Sequence, residues 1–350
     1  EHFHDIVKVP DIFDCAKAHG MTTAAVFWPV TGNHPHIDWL IDEYWPQDAS
    51  QDEAECFRDA GSNEEVMQIV RRNIHLTRGH LRKHPWTDEF IHACACDMIR
   101  EFRPNLLMMH PGNVDGYRHE TGVFSPKTVH GLHECDLWLG DILQALELAG
   151  IREQTNVFVV SDHGQIDVRG SIHPNVLLQR AGLIELGPDG AVKDYEAICK
   201  STGASCQVWL KEPENRAVWE KTRAVLEQAR QEGAYGIERV WTVEETKQKE
   251  HLSGGFSFVL ETDGTYSFGN DWKAPVVRPA DTSDYKLAHG THGYYPDKGP
   301  QPTLLAFGPD IKAGAVVERA GIVDIAPTVA ASLGLEMPDT DGRVVWEILR

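Results

Sequence analysis

The hydrophobic positions of the chain follow two rhythms. Short apolar runs fill residues 22–28 (TTAAVFW, closed by Pro29), 105–109 (NLLMM), 157–160 (VFVV) and 302–307 (PTLLAF). Runs of this length read as strands, and the unbroken one at 157–160 suits a strand buried on both faces, as in a parallel sheet. Between them the apolar residues recur at helical spacing. Residues 9–20 carry Ile12, Phe13, Cys15 and Ala16 and stop at Gly20, and 64–81 and 87–102 continue the pattern. Residues 126–149 form a long helix ended by Gly150, and 323–334 a helix ended by Gly334. Strand and helix alternating, with polar residues at the strand ends, predict an α/β fold. Its core is a doubly wound, mostly parallel sheet with helices on both faces. A chain that opens on a helix leaves a preceding strand to be expected upstream.

The rhythm changes near residue 190. A strand at 205–210, a helix at 213–231 and a strand at 237–242 follow. Residues 256–260 and 266–268 flank Thr262-Asp-Gly-Thr265, which reads as a hairpin. The expected organisation is therefore a core made of residues 1–189 and 286–350, with a small α+β subdomain inserted at 190–285. Residues 33–62 are irregular, polar and acidic.

Composition narrows the function classes. The net charge of -20 argues against a nucleic-acid polymer or an anionic membrane as partner, since both need basic surface. It leaves room for a small phosphate-containing substrate, because bound cations supply local positive charge. No run of 18 apolar residues marks a membrane span. The cysteines (Cys15, Cys56, Cys94, Cys96, Cys135, Cys199 and Cys206) are odd in number and show no disulfide framework, so reduced thiols in the cytoplasm are expected. Cys94-Ala-Cys96 has no second cysteine pair and reads as packing.

The candidate chemistry sits at strand ends. The run 157–160 ends in Ser161-Asp-His-Gly164, where Asp162 and His163 are both good ligands for a zinc-like cation and Gly164 permits the strand to break. A plain turn capped by Asp162 is the competing reading, and these four residues do not separate the two. After the run 105–109, Asp115 and His119 stand four apart, which puts them on one face of a helical turn. His292 lies in Gly290-Thr-His-Gly293, before Tyr294. In a doubly wound sheet the strand ends converge on one edge. Five oxygen and imidazole ligands are too many for one tetrahedral catalytic zinc, and close to enough for two metals. Paired metals suit phosphoryl chemistry, where they stabilise the attacking and leaving oxygens.

The set D-x3-H, Ser161-Asp-His-Gly164 and Gly290-Thr-His-Gly-Tyr294, in this order, resembles the nucleotide pyrophosphatase/phosphodiesterase branch of the alkaline phosphatase superfamily. The stretch IFDCAKAHGMTTAAVFWP and the tail from AFGPDIKAG through VDIAPTVAASLGLEMP to DGR are similar to segments of the same superfamily, so the resemblance spans essentially the whole chain. It implies hydrolysis of phosphodiester or pyrophosphate bonds with two divalent ions, zinc foremost. One ion would be held by Asp115, His119 and His292, the other by Asp162, His163 and an Asp on the first strand. A bridging Thr or Ser would attack phosphorus and form a covalent intermediate. The family places that Asp and that nucleophile upstream of the segment Glu1 begins. Thr22, Thr23 and Thr31 do not fit the nucleophile's place, and Ser125-Pro-Lys-Thr128 reads as a helix cap. The expectation is therefore an N-terminally incomplete enzyme with no catalytic nucleophile of its own. The alternatives are a phosphonate hydrolase acting on compounds such as phosphonoacetate, since that activity occurs in the same branch, and a non-catalytic binding protein. Tyr117, Arg118, Trp39 and Trp45 are placed to contact a substrate or simply to pack. Substrate, metal identity and oligomeric state are not fixed by the sequence.

Overall fold

The strand Thr23–Val26 shows why helices must cover two faces. Its successive side chains point in opposite directions, as strand geometry requires. Ala24 and Val26 enter an apolar cluster with Val66, Met67, Phe90 and Ile91, from the helices Glu64–Asn73 and Trp86–Phe102. Ala25 points the other way, into a cluster with Ile12, Phe13 and Ala16 of the helix Ile12–Ala18 and Ala330 of the helix Ile325–Ser332. The strand pairs in parallel with Trp39–Ile41 on one edge and Leu106–Met109 on the other, Val26 lying opposite Ile41 and Met109. This is the doubly wound α/β arrangement expected from the alternation of runs. Trp39–Ile41 emerges from a stretch read as irregular, because three residues are too few to display a period.

The computed structural model describes residues 2–48, 50–284 and 287–350. Two units are distinguished. The first comprises Glu1–Asn113, Gly131–Asp162 and Pro302–Arg350, and the second Val114–His130 and His163–Gln301. The expected insertion at 190–285 lies within the second unit, and its boundary at 285/286 falls outside the described residues. No helix among the described residues is long and apolar enough to cross a membrane.

Within the first unit, Asp11 starts the helix Ile12–Ala18 with a reciprocal capping box. Its Oδ1 accepts from the Phe13 and Asp14 amides, while Asp14 Oδ2 accepts from the Asp11 amide. The helix expected over 64–81 is α-helical only to Asn73. It tightens into a 3-10 turn at Ile74–Thr77 and stops where Arg78 turns left-handed. Thr77 Oγ1 donates to the Ile74 carbonyl at 2.7 Å and favours that tight turn over continuation. Val157–Val160 is a strand, as read, but it pairs antiparallel with Leu304–Phe307 and its four residues are half-buried rather than buried on both faces. Its only ladder among the described residues is to that returning strand. Cys94 and Cys96 are buried in apolar clusters, and burial pushes the Cys96 thiol up to about 12.

The second unit holds a four-stranded antiparallel sheet in the order Ile237–Thr242, Phe258–Thr262, Ser205–Leu210, Ala197–Ser201. Cys206, Val208 and Leu210 alternate inward, and Leu226 and Ala229 of the helix Arg216–Glu232 belong to the same apolar cluster. The expected hairpin is not formed. Thr262-Asp-Gly-Thr265 does turn, but Phe258–Thr262 already has partners on both edges, and Ser267–Phe268 pairs in parallel with Gly170–Ile172 instead. Local turn chemistry predicted the bend; the occupied edges decided the pairing.

Asp42, just after the strand Trp39–Ile41, is a buried carboxyl. Its Oδ1 accepts from the Thr31 hydroxyl at 3.0 Å, and its Oδ2 has no hydrogen-bond partner among the described residues. Burial raises the group to about 6 despite the Thr31 hydrogen bonds. A carboxyl raised on folding costs stability while ionised. That cost is present in full above the folded value, fades as pH falls through about 6, and is gone near the unfolded value of about 4. Asp42→Asn is therefore expected to be more stable than the parent by about 1–3 kcal/mol at pH 8 and equal to it at pH 4. Urea unfolding followed by circular dichroism at both pH values checks this; a difference that does not change with pH would contradict it.

Candidate metal centre

The helix Asn113–Thr121 carries Asp115 and His119 one turn apart on the same face. His119 is 4% exposed, and its Nδ1 donates to the Gly290 carbonyl at 2.7 Å. That bond puts the proton on Nδ1 and leaves the lone pair on Nε2, which lies 3.4 Å from Asp115 Oδ1. Gly290 reaches the helix because it has no side chain: a Cβ there would stand 2.5 Å from the Arg118 carbonyl oxygen. The short strand Gly290–Thr291 pairs antiparallel with Ile166–Asp167, and this pairing brings the loops carrying His292 and His163 side by side. The two imidazoles stack with centroids 3.8 Å apart and planes 14° apart. The Nε2 of His163 lies 3.9 Å from Asp115 Oδ1, and that of His292 4.0 Å.

Gly164 does break the chain after His163, by close approach. A Cβ there would lie 1.8 Å from the Pro300 carbonyl oxygen, so only glycine fits without moving backbone.

Three imidazole Nε2 atoms therefore surround one carboxylate oxygen. The ligand atoms of Asp115, His119 and His292 all lie within 4.8 Å of one another. Zinc takes nitrogen and oxygen ligands at about 2.0–2.2 Å, so small side-chain movements would close this set around one ion. Burial works to raise the Asp115 carboxyl, but the neighbouring imidazoles of His119, His292 and His163 outweigh it and hold the group below its ordinary value. An ionised carboxylate among imidazole nitrogens is a donor set suited to a divalent cation.

Of the five ligands read from the sequence, Asp115, His119, His163 and His292 come together in the second unit. Asp162 belongs to the first unit, where it follows the strand Val157–Val160. Three of the four possible substrate contacts are engaged in packing. Trp39 stacks on Phe102 at 4.5 Å, Arg82 lies over the Trp45 ring at 4.5 Å, and Tyr117 is 3% exposed. Arg118 is half-buried, and its Nε is buried without a hydrogen-bond partner among the described residues. Ser125 Oγ accepts from the Thr128 amide at 3.1 Å, the cap that its motif suggested.

Two features escaped the sequence reading. One is Gln165, whose Nε2 donates to Asp115 Oδ1 at 2.6 Å; its place directly after the Asp162-His163-Gly164 motif was the available signal. The other is a cluster of His4, Asp11, Asp14 and His34 in the first unit, close enough for a metal. The donor atoms of Asp11, Asp14 and His34 are already committed, while His4 Nδ1 is buried without a hydrogen-bond partner among the described residues. His34 Nδ1 accepts from the His36 amide at 3.0 Å, so Nε2 carries the proton and donates to Asp11 Oδ2 at 3.0 Å. The remaining oxygens of Asp11 and Asp14 serve the capping box and His36. The cluster ties the helix start to the loop after residue 31.

Comparison with known proteins identifies the family and the fold. The family model described as type I phosphodiesterase / nucleotide pyrophosphatase matches residues 2–295. Among solved structures, murine ectonucleotide pyrophosphatase/phosphodiesterase 5 aligns with a TM-score of 0.60 at 18% identity, covering 97% of this chain and 74% of that one. An inactive variant of the murine protein in complex with AMP gives the same values. The human counterpart aligns at 0.59 with 16% identity over 97% and 74% of the two chains. A search of curated proteins finds no match. The fold is thus an α/β architecture of the alkaline-phosphatase-like kind. The chain belongs to the type I phosphodiesterase / nucleotide pyrophosphatase family, hydrolases acting on phosphoester bonds.

Gly290→Ala tests the geometry without touching a donor atom. The added Cβ must push the Gly290–Thr291 strand from the helix, loosening the carbonyl that orients His119. Zinc affinity is expected to fall about 10-fold or more, as when other orienting partners of ligands are lost. Isothermal titration with zinc checks it; unchanged affinity in a folded variant would contradict the role given to Gly290.

Proposed function

We propose that this protein hydrolyses phosphodiester or pyrophosphate bonds of small nucleotide-like substrates with two divalent ions, zinc being the best match to the donors. The observation that carries the reading is the convergence of the His119, His163 and His292 Nε2 atoms on Asp115 Oδ1. In this reading Asp115, His119 and His292 hold one ion. The family resemblance assigns Asp162 and His163 to the other, together with an Asp placed upstream. The attacking Thr or Ser is assigned upstream of residue 1 on the same ground.

When bound, such ions polarise phosphoryl oxygens and stabilise the attacking and departing oxygens. The protein's own contribution is preorganisation. Asp115 stays ionised because three imidazoles face it. His119 is held in one tautomer by the Gly290 carbonyl, so its Nε2 needs no reorientation to act as a ligand. The AMP complex of the murine relative supports a nucleotide as substrate here. The net charge of -20 supports a small phosphate ester over a nucleic-acid polymer. Seven unpaired thiols support a reducing compartment, the cytoplasm.

The test is turnover by the zinc-loaded native protein on a p-nitrophenyl ester of a nucleoside monophosphate, on a dinucleotide and on phosphonoacetate. Hydrolysis of the first two is expected, with Asp115→Ala lowering kcat/KM by about 100-fold or more, since removing a ligand should cost at least as much as removing its supporting partner. Diester hydrolysis unaffected by Asp115→Ala would contradict the reading. Turnover of phosphonoacetate alone would move the activity to carbon–phosphorus bonds.

A further inference from the structure

Gln165 is 1% exposed. A buried primary amide is costly unless its donors and acceptor are satisfied. This one is satisfied on one side only among the described residues: Nε2 donates to Asp115 Oδ1 at 2.6 Å, while Oε1 is buried without a partner there. The amide has one tenable orientation, since turning Oε1 toward Asp115 would set two acceptors against each other. An apolar side chain of the same length would fill this position without stranding an acceptor. Packing alone therefore gives no account of a glutamine here.

The oxygen that Gln165 grips supplies the account. Asp115 Oδ1 is also the atom that the Nε2 atoms of His119, His163 and His292 face, at 3.4, 3.9 and 4.0 Å. A carboxylate otherwise turns about its last side-chain bond. The amide stops that rotation and keeps Oδ1 directed at the imidazoles. It also does so without charge. A lysine or arginine in its place would hold the carboxylate equally well but neutralise the field that attracts a cation. Gly164, locked against Pro300, fixes the backbone from which Gln165 reaches across.

We infer that Gln165 is a positioning residue, pinning the Asp115 carboxylate so that a cation meets a preorganised ligand set. This rests on the reading that Asp115, His119 and His292 hold an ion. The arrangement keeps a half-satisfied buried amide in the metal-free protein, and the return appears only when the ion binds.

The experiment measures zinc affinity of the metal-free chain by competition with a chromogenic chelator. It compares the parent with Gln165→Met, which keeps the length and loses the donor, with Gln165→Glu, which keeps the shape and offers only acceptors when ionised, and with Asp115→Ala. Thermal midpoints in excess EDTA are measured alongside. Gln165→Met is expected to raise the zinc Kd about 10- to 100-fold, the range for lost partners of metal ligands. Its metal-free midpoint should equal or exceed that of the parent, which a merely structural glutamine would not allow. Gln165→Glu is expected to weaken zinc binding as well, and it carries the test should the methionine variant fold poorly. Affinities of both variants within twofold of the parent, with Asp115→Ala abolishing that binding, would overturn the role of Gln165 and leave the centre standing. Zinc binding unaffected by Asp115→Ala would overturn the centre and this inference together.

Discussion

The hydrogen bond from His119 Nδ1 to the Gly290 carbonyl is the constraint on which the candidate centre depends. It is a contact between a helix and a strand end 171 residues apart in sequence, and it sets three things together. It fixes the His119 tautomer and its ring orientation. It requires glycine at position 290, because any side chain there would strike the Arg118 backbone. It holds the Gly290–Thr291 strand against Ile166–Asp167, so that His292 and His163 emerge next to each other. One backbone carbonyl thereby organises a site whose donors come from three stretches of chain.

The electrostatics follow from that geometry. A carboxylate brought close to three imidazoles is held ionised, even though its burial alone would favour the protonated form. The His163 and His292 imidazoles stack at 3.8 Å and, with His119, face one carboxylate oxygen. In the cluster of His4, Asp11, Asp14 and His34 every carboxylate oxygen is engaged, and the His34 proton lies between Nε2 and Asp11, which ties the helix start to the following loop.

Much of this was legible in the sequence. The strands Thr23–Val26, Leu106–Met109 and Val157–Val160 stood out as short apolar runs, although only the first is fully buried, and the helix stops at Gly20, Gly150 and Gly334 were marked by glycines that take positive φ. Asp115, His119, His163 and His292 were legible because polar residues after such runs have no packing role. What stayed hidden depends on long-range partners. Trp39–Ile41 is too short to carry a period. Phe258–Thr262 has both edges filled, and no local signal announces that. Val157–Val160 pairs with a strand more than a hundred residues later, in the antiparallel sense. Gln165 looked like any polar residue after a turn until the fold placed Asp115 against it.

The most direct measurement of the central claim is anomalous diffraction at the zinc edge from crystals grown with zinc. The account predicts a peak bonded to an Asp115 oxygen and to the Nε2 atoms of His119 and His292, at about 2.0–2.2 Å from each. Zinc bound elsewhere on the chain, with these three side chains still turned toward one another and no ion among them, would contradict it.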